Sequence, residues 1–421
     1  MSISVLRAHA DAIVREAISA VQPDAAVRRA LEQQALTGRV VLVAAGKAAW
    51  QMAKAAHDVL GTRVADGVVV TKYGHVMGPI ANYTCVEAGH PMPDENSFRG
   101  AKAALELVTG LGEGDTVLFL LSGGGSALFE LPLVAPEELQ DITAQLLACG
   151  ADIVEMNTVR KRLSAVKGGR FAEACAPAHV VSVVLSDILG DPLDMIASGP
   201  AYPDSSTTEQ ALAVCEKYRL RLSDEARACL LRPTPKTLDN VTTHITGSVR
   251  ELVAAAAQSC RSLGYTPVIL TDMLCCQARE AGSFLASVAR THAQSGKNLA
   301  FLAGGETVVR LIGSGLGGRN QELALAAADG IAGLNAAVFS VGSDGTDGPT
   351  DAAGGYVDGE TKGLLKDAGW SAYEALENND AYHALGAVGG LIVTGPTGTN
   401  VNDVAVVLVR GRASDGTQFE T

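Results

Sequence analysis

Apolar residues along the chain fall into two alternating patterns. Short continuous runs rich in Val, Leu and Ala, such as 40–44 and 180–185, read as strands covered on both faces. Between them, apolar residues recur every three or four positions, as over 48–60 and 95–108, which predicts amphipathic helices. The order is strand 40–44, helix 48–60, strand 67–71, helix 95–108, strand 116–121, helix 136–149, a second helix from Asp152, and strand 180–185. The alternation restarts after Asp239, with strand 241–245, helix 249–263, strand 267–271 and helix 278–293. It closes with strands 299–303 and 336–341 around a helix at 321–328, and a last strand at 404–409. Repeated strand–helix units predict an α/β chain with open, mostly parallel sheets and helices on both faces. Loops that follow strands are then the places to look for chemistry.

Length and charge narrow the picture. A chain of 421 residues suits two or three domains, and the stretch 231–240 (LRPTPKTLDN), with two prolines, suits a linker. The expected division is therefore 1–240 and 241–421. Net charge is −13, which speaks against nucleic acid or an anionic membrane surface as a general partner. No apolar run approaches the roughly 20 residues of a membrane-spanning helix. Charges at Arg7, Asp11, Arg15 and Glu16 break up the N-terminal stretch, which reads as an amphipathic helix rather than a signal peptide. The eight cysteines form no CxxC pair, and Cys275 and Cys276 are adjacent, so free thiols in a reducing cytoplasm are expected. No HxxxH pair and no G-x-S-x-G elbow occur, which leaves a zinc site and a serine hydrolase unsupported.

Five segments carry candidate chemistry. Ser122, Gly123, Gly124, Gly125 and Ser126 follow an apolar strand, and successive glycines let main-chain amides converge on an anion; a plain flexible turn is the alternative. The segment RKRLSAVKGGR holds Arg160, Lys161, Arg162, Lys167 and Arg170 with no acid. On a helix, Arg160, Ser164 and Lys167 would share one face and Gly168 and Gly169 would end it, giving either a carboxylate or phosphate cradle or a solvated basic face. Lys47 stands after the first strand at the start of a helix, where a cation is disfavoured unless an anion lies near; a solvated surface Lys is the alternative.

Asp187 and Asp191 follow strand 180–185 and could hold Mg²⁺ or take a hydroxyl proton, or serve only as turn residues. Asp344, Asp347 and Asp351 raise the same question. Lastly, Gly313, Gly315 and Gly318 spell G-x-G-x-x-G ahead of a helix, with Asp344 past the next strand. That is the best case for a nicotinamide enzyme, although Arg319 is an anion partner of its own kind, a planar fork that can grip a phosphoryl group at two points. His90, between loop glycine and proline, could be a base, a ligand or a hydrogen-bonded loop residue.

Taken together the chain resembles the class II glycerate kinases, the glycerate 2-kinase family with a MOFRL domain. The resemblance rests on GKAAWQMAKAA, GHPMPDENSFRGAKAAL, LLSGGGSALFELP, MNTVRKRLSAVKGGRFA, LSDILGDPLDMIASGPAYPD, AGGETVV, GLGGRNQELAL, SVGSDGTDGPTDAAGG and GPTGTNVND, in family order from about residue 44 onward. It implies two Rossmann-like three-layer α/β/α domains with a cleft between them, the MOFRL region covering about 296–409. It implies ATP, Mg²⁺ and transfer of the γ-phosphoryl group to the 2-hydroxyl of D-glycerate, in the cytoplasm, with a homodimer left open. Family members also carry the label hydroxypyruvate reductase, and an NAD(P)H-dependent reductase is the alternative. The family's active-site Lys and Arg fall on Lys47 and Arg319. With them the expected site has Asp187 in catalysis, Asp187 and Asp191 at the metal, and residues 122–126 with Glu306 and Asn320 at phosphate or nucleotide. Arg160, Lys161, Lys167 and His90 are expected at the substrate.

Overall fold

The computed structural model describes residues 4–411, which form two compact units, one Pro23–Thr246 and the other residues 4–22 with 247–411. The unit Pro23–Thr246 holds β1 (Val40–Ala45), β2 (Val64–Lys72), β3 (Tyr83–Ala88), β4 (Thr116–Leu121), β5 (His179–Leu185) and β6 (Val241–Gly247) in one sheet, ordered β3-β2-β1-β4-β5-β6. The pairs β1–β2, β2–β3, β1–β4 and β4–β5 are parallel. Alternation along β1 explains why it has no polar side: Val41, Val43 and Ala45 pack into one core and Val40, Leu42 and Ala44 into the other. Phe119 of β4 anchors the first of these, its ring 4.8 Å from Phe171 and 5.8 Å from Phe129. Chain order reverses between β1 and β4. In an open parallel sheet that reversal opens a crevice at the strands' carboxyl ends.

The other unit holds β7 (Thr266–Leu274), β8 (Leu299–Gly305), β9 (Ala336–Gly342), β10 (Gly354–Asp358), β11 (Leu391–Ile392) and β12 (Asp403–Val409), ordered β11-β10-β9-β12-β8-β7. Here the expectation of a mostly parallel sheet needs correcting. Only β7–β8 is parallel, while β12 runs antiparallel to both β8 and β9, and β10 antiparallel to β9 and β11. As a result the first residue of β12, Asp403, lies opposite Gly305 and Gly342, where β8 and β9 end.

Two segments fall on the other side of the expected division at residue 240. Strand 241–247 is the edge of the first sheet, held beside β5 by Val180 N–H donating to the Asn240 carbonyl at 2.7 Å. The N-terminal helix Val5–Ala20 belongs with the later residues. Arg7 donates to the carbonyls of Gly389 (2.8 Å) and Leu391 (2.9 Å), and the His9 ring is bonded to the Tyr265 hydroxyl at 2.9 Å. Among the described residues no helix is long and apolar enough to cross a membrane.

Candidate active site

Lys47 and the glycine-rich turn stand on either side of the chain reversal, one after β1 and the other after β4. They are stitched together. Lys47 N–H donates to the Gly123 carbonyl at 2.9 Å, and Ala48 N–H donates to Ser122 Oγ at 3.1 Å. The Lys47 side chain is exposed and makes no ion pair among the described residues. Gly124 has φ +83°, and a Cβ there would sit 3.1 Å from both Lys47 Cγ and His90 Cδ2. Only glycine gives that turn its left-handed backbone and lets Lys47 and His90 close over it. Partial burial, reinforced by Lys47 and then Lys72, pushes the His90 imidazole below its ordinary pKa, so the ring is neutral at pH 7.

Asp187, just past β5, presses on the same turn: a Cβ on Gly123 would fall 2.2 Å from Asp187 Oδ2. Asp191 is half-buried at φ +51°, and its Oδ1 is shut away from water without a hydrogen-bond partner. Lys47, residues 122–126, His90 and Asp187 are thus brought together, with Asp191 four residues beyond.

The basic segment differs from expectation. The helix Ile153–Arg160 stops at Arg160, a single 3-10 turn covers Lys161–Leu163, and Ser164 is extended. Ala165 N–H donates to the Leu131 carbonyl at 2.8 Å and Leu133 N–H to the Leu163 carbonyl at 2.8 Å, so pairing with a neighbouring segment replaces the helix. Gly169 precedes the next helix, Arg170–Cys175, rather than ending one.

Lys161 and Lys167 therefore do not form a cradle for substrate. Lys161 is buried between Asp204 (3.1 Å) and Asp194 (3.3 Å). Lys167 is fully buried, 3.4 Å from Glu130, and donates to the carbonyls of Ser126 (2.8 Å) and Phe129 (3.1 Å). Arg160 remains at the edge of the site: its Nη2 donates to the Ser126 carbonyl at 3.3 Å, while its Nε is buried without a partner. Ser126 Oγ meets Ser198 Oγ at 3.1 Å, and Ser198 donates to Asn157 at 2.8 Å.

In the other unit, Arg319 opens the helix Arg319–Ala327. Its Nε and Nη2 donate to Asp403 Oδ2 (2.5 Å) and Oδ1 (3.0 Å), and its Nη1 to Glu306 Oε1 (2.8 Å). Burial alone would weaken the cation. Asp403, then Glu306, more than offset it and keep the guanidinium charged far above neutral pH. The helix's first amides are already taken: Asp347 Oδ1 accepts from Asn320 N–H (3.1 Å) and Asp347 Oδ2 from Gln321 N–H (2.8 Å). Asn320 is buried, its side chain spent on Asp347 and Ser340. Through Ser340 it ties the start of this helix to β9.

The G-x-G-x-x-G stretch is likewise occupied by the protein. Ile312 and Gly313 N–H donate to Asn379 Oδ1, Ser314 N–H to Asn378 Oδ1, Gly315 N–H to the Asn378 carbonyl, and Leu316 N–H to Asp380 Oδ1. A pyrophosphate would have to displace this turn to reach those amides, so the glycines here serve packing against residues 378–380.

Asp403, Glu130, Ser198 and Asn157 were absent from the sequence-based site. Each is joined to it by a contact across 20 or more residues of chain. In the sequence Asp347 is one of several acids in a glycine-rich loop. Its signal, an acid that could cap a helix begun 28 residues earlier, is not local.

Comparison with known proteins matches residues 9–231 to a domain of unknown function, DUF4147, and residues 299–403 to the MOFRL family. A D-glycerate 2-kinase of Thermotoga maritima is 54% identical over 404 residues, covering 94% of this chain and 97% of that one. A crystal structure of a glycerate kinase from the same organism superposes with a TM-score of 0.92 at 54% identity, over 96% of this chain and 99% of that chain. A protein of Pyrococcus horikoshii named glycerate 2-kinase is 40% identical, over 95% of this chain and 97% of that one. With both regions present and nearly the whole chain aligned, this chain belongs to the glycerate 2-kinase family of enzymes.

Proposed function

We propose that the chain transfers the γ-phosphoryl group of ATP, with Mg²⁺, to the 2-hydroxyl of D-glycerate, releasing ADP and 2-phosphoglycerate. The observation that carries the reading is Lys47: an exposed cation bonded through its own main chain to a glycine-rich turn, at the chain reversal of a parallel sheet. Phosphoryl transfer asks mainly for positioning and charge neutralisation, and that arrangement supplies both. Lys47 neutralises phosphate charge while the turn 122–126 lets phosphate oxygens approach the main chain. Arg319, fixed by Asp403, supplies a second cation. Arg160, bonded to the Ser126 carbonyl at the turn and with its Nε unsatisfied, we assign to the glycerate carboxylate.

Mg²⁺ typically keeps several waters and binds through one or two carboxylates plus substrate phosphates. Asp191, whose Oδ1 is buried and unsatisfied, fits that donor set, which leaves Asp187, against the glycine turn, for the proton. When bound, Mg²⁺ would neutralise the phosphate oxygens. Asp187 accepts the proton as the glycerate oxygen bonds to the γ-phosphorus and the bond to the β–γ bridging oxygen breaks. Neutral His90, beside Lys47, can donate or accept a hydrogen bond to the substrate without adding charge. The described cysteines are all free thiols, in keeping with a reducing cytoplasm as the place of action.

A thermal-shift series tests the class of reaction. ATP with Mg²⁺ should raise the melting temperature and NADH should not, and ADP should appear only when D-glycerate is present. Stabilisation by NADH with no ADP release would overturn the kinase reading.

A further inference from the structure

The two carboxylates on Arg319 differ in kind. Asp403 is the first residue of β12, between β8 and β9; its side chain is 8% exposed and it meets the guanidinium at two points. Glu306 lies one residue past the end of β8, its side chain is 45% exposed, and a single 2.8 Å bond ties it to Arg319. Its second oxygen accepts from Asn402 at 3.2 Å. A guanidinium offers five N–H donors, so the grip of Asp403 leaves the Nη1 corner facing Glu306. A substrate phosphate or carboxylate would compete for that corner, and Glu306 would repel it while in place.

We propose that Glu306 is a displaceable counter-ion: it occupies on Arg319 the position that an anionic group of the substrate takes over, while Asp403 stays fixed. The idea rests on the kinase reading, and it replaces the expectation that Glu306 binds phosphate directly. A carboxylate already neutralised by a guanidinium is a poor metal ligand, which sets this role apart from magnesium binding. Glu306 and Asp403 are then positioning groups with opposite signatures. Removing the charge of Glu306 helps binding. Removing that of Asp403 loosens Arg319 and lowers kcat.

Calorimetric titration with tripolyphosphate in metal-free, low-salt buffer tests this without turnover. Glu306→Gln should bind about tenfold more tightly than the wild-type chain, a difference of about 1.4 kcal/mol. The gain should shrink as salt rises and vanish in an Arg319→Ala background. In steady-state kinetics, Glu306→Gln should lower KM for ATP or glycerate with kcat changed little. Weaker or unchanged tripolyphosphate binding by Glu306→Gln, or a gain that survives Arg319→Ala, would overturn the proposal. So would a raised Mg²⁺ requirement in Glu306→Gln, which would make Glu306 a metal ligand. A wild-type chain that fails to phosphorylate glycerate, with the binding gain intact, would sink the kinase reading and leave the counter-ion.

Discussion

Lys167 reaches from the interior of its unit to the carbonyl oxygen of Ser126, 2.8 Å away. The last residue of the glycine-rich turn is thus held from behind by a buried ammonium whose counter-charge is Glu130, 3.4 Å from it. Lys167→Met should strand Glu130, leaving only Arg160 at 3.9 Å. Loss of one partner of a buried pair costs about 3–5 kcal/mol, and urea unfolding would show it. Lys167→Met with Glu130→Leu should recover most of that loss. A single variant as stable as the wild-type chain would mean the pair is not structural.

Gly123 separates the turn from Asp187. A Cβ at 2.2 Å from Asp187 Oδ2 forces one of them to move. Gly123→Ala should therefore lower kcat/KM by about 10²-fold, the scale on which a misplacement of about 1 Å acts. The unfolding midpoint should change far less. An alanine variant with normal turnover would remove Asp187 from the reaction.

Burial, opposed by the amide bonds of Gln321 and Asn320, pushes the Asp347 carboxyl up to about 6 from 3.8. The folded chain then holds this proton more firmly than the unfolded chain. The stabilisation is complete below pH 3.8 and lost as pH rises through about 6. The size is about 3 kcal/mol across that window, taking about 1.4 kcal/mol for each pKa unit. Asp347→Asn, which mimics the protonated side chain, should lose this pH dependence. Urea unfolding of both proteins at several pH values between 4 and 7 checks it, and parallel curves would contradict it.

Much of the fold was legible because continuous apolar runs and three-to-four spacing are local signals. Strands 116–121 and 180–185 and helix 95–108 appear within a residue or two of where the pattern puts them. The missed strands are of a different kind. Tyr83–Ala88 mixes Thr, Cys and Glu, and Gly354–Asp358 opens on two glycines, so neither shows a clean apolar run. The direction of β12 is set by long-range pairing with β8 and β9, which spacing does not report.

Of the residues proposed for the chemistry, Lys47, the turn 122–126 and Arg319 stand where the sequence pattern puts them, each following a strand or opening a helix. The burial of Lys161 and Lys167 was not legible in that pattern. Their counter-charges Asp204 and Glu130 lie tens of residues away, and a basic run reads the same whether it faces water or a buried acid. Asp403 stands 84 residues beyond Arg319, and only the antiparallel return of β12 brings them together.

Lys47→Ala and Arg319→Ala should each lower kcat/KM by about 10³-fold or more, the scale of a lost charge-stabilising group in phosphoryl transfer. Circular dichroism and melting temperature should stay near wild type for Lys47→Ala, since that side chain is exposed. Turnover near wild type in either variant would remove that residue from the chemistry.

The most direct test of the whole account is phosphorus NMR of the products formed from D-glycerate, ATP and Mg²⁺. ADP and 2-phosphoglycerate in equal amounts are expected. A 3-phosphoglycerate signal would contradict the proposed acceptor hydroxyl. No phosphoryl transfer, with NADH oxidised on addition of hydroxypyruvate, would contradict the kinase reading itself.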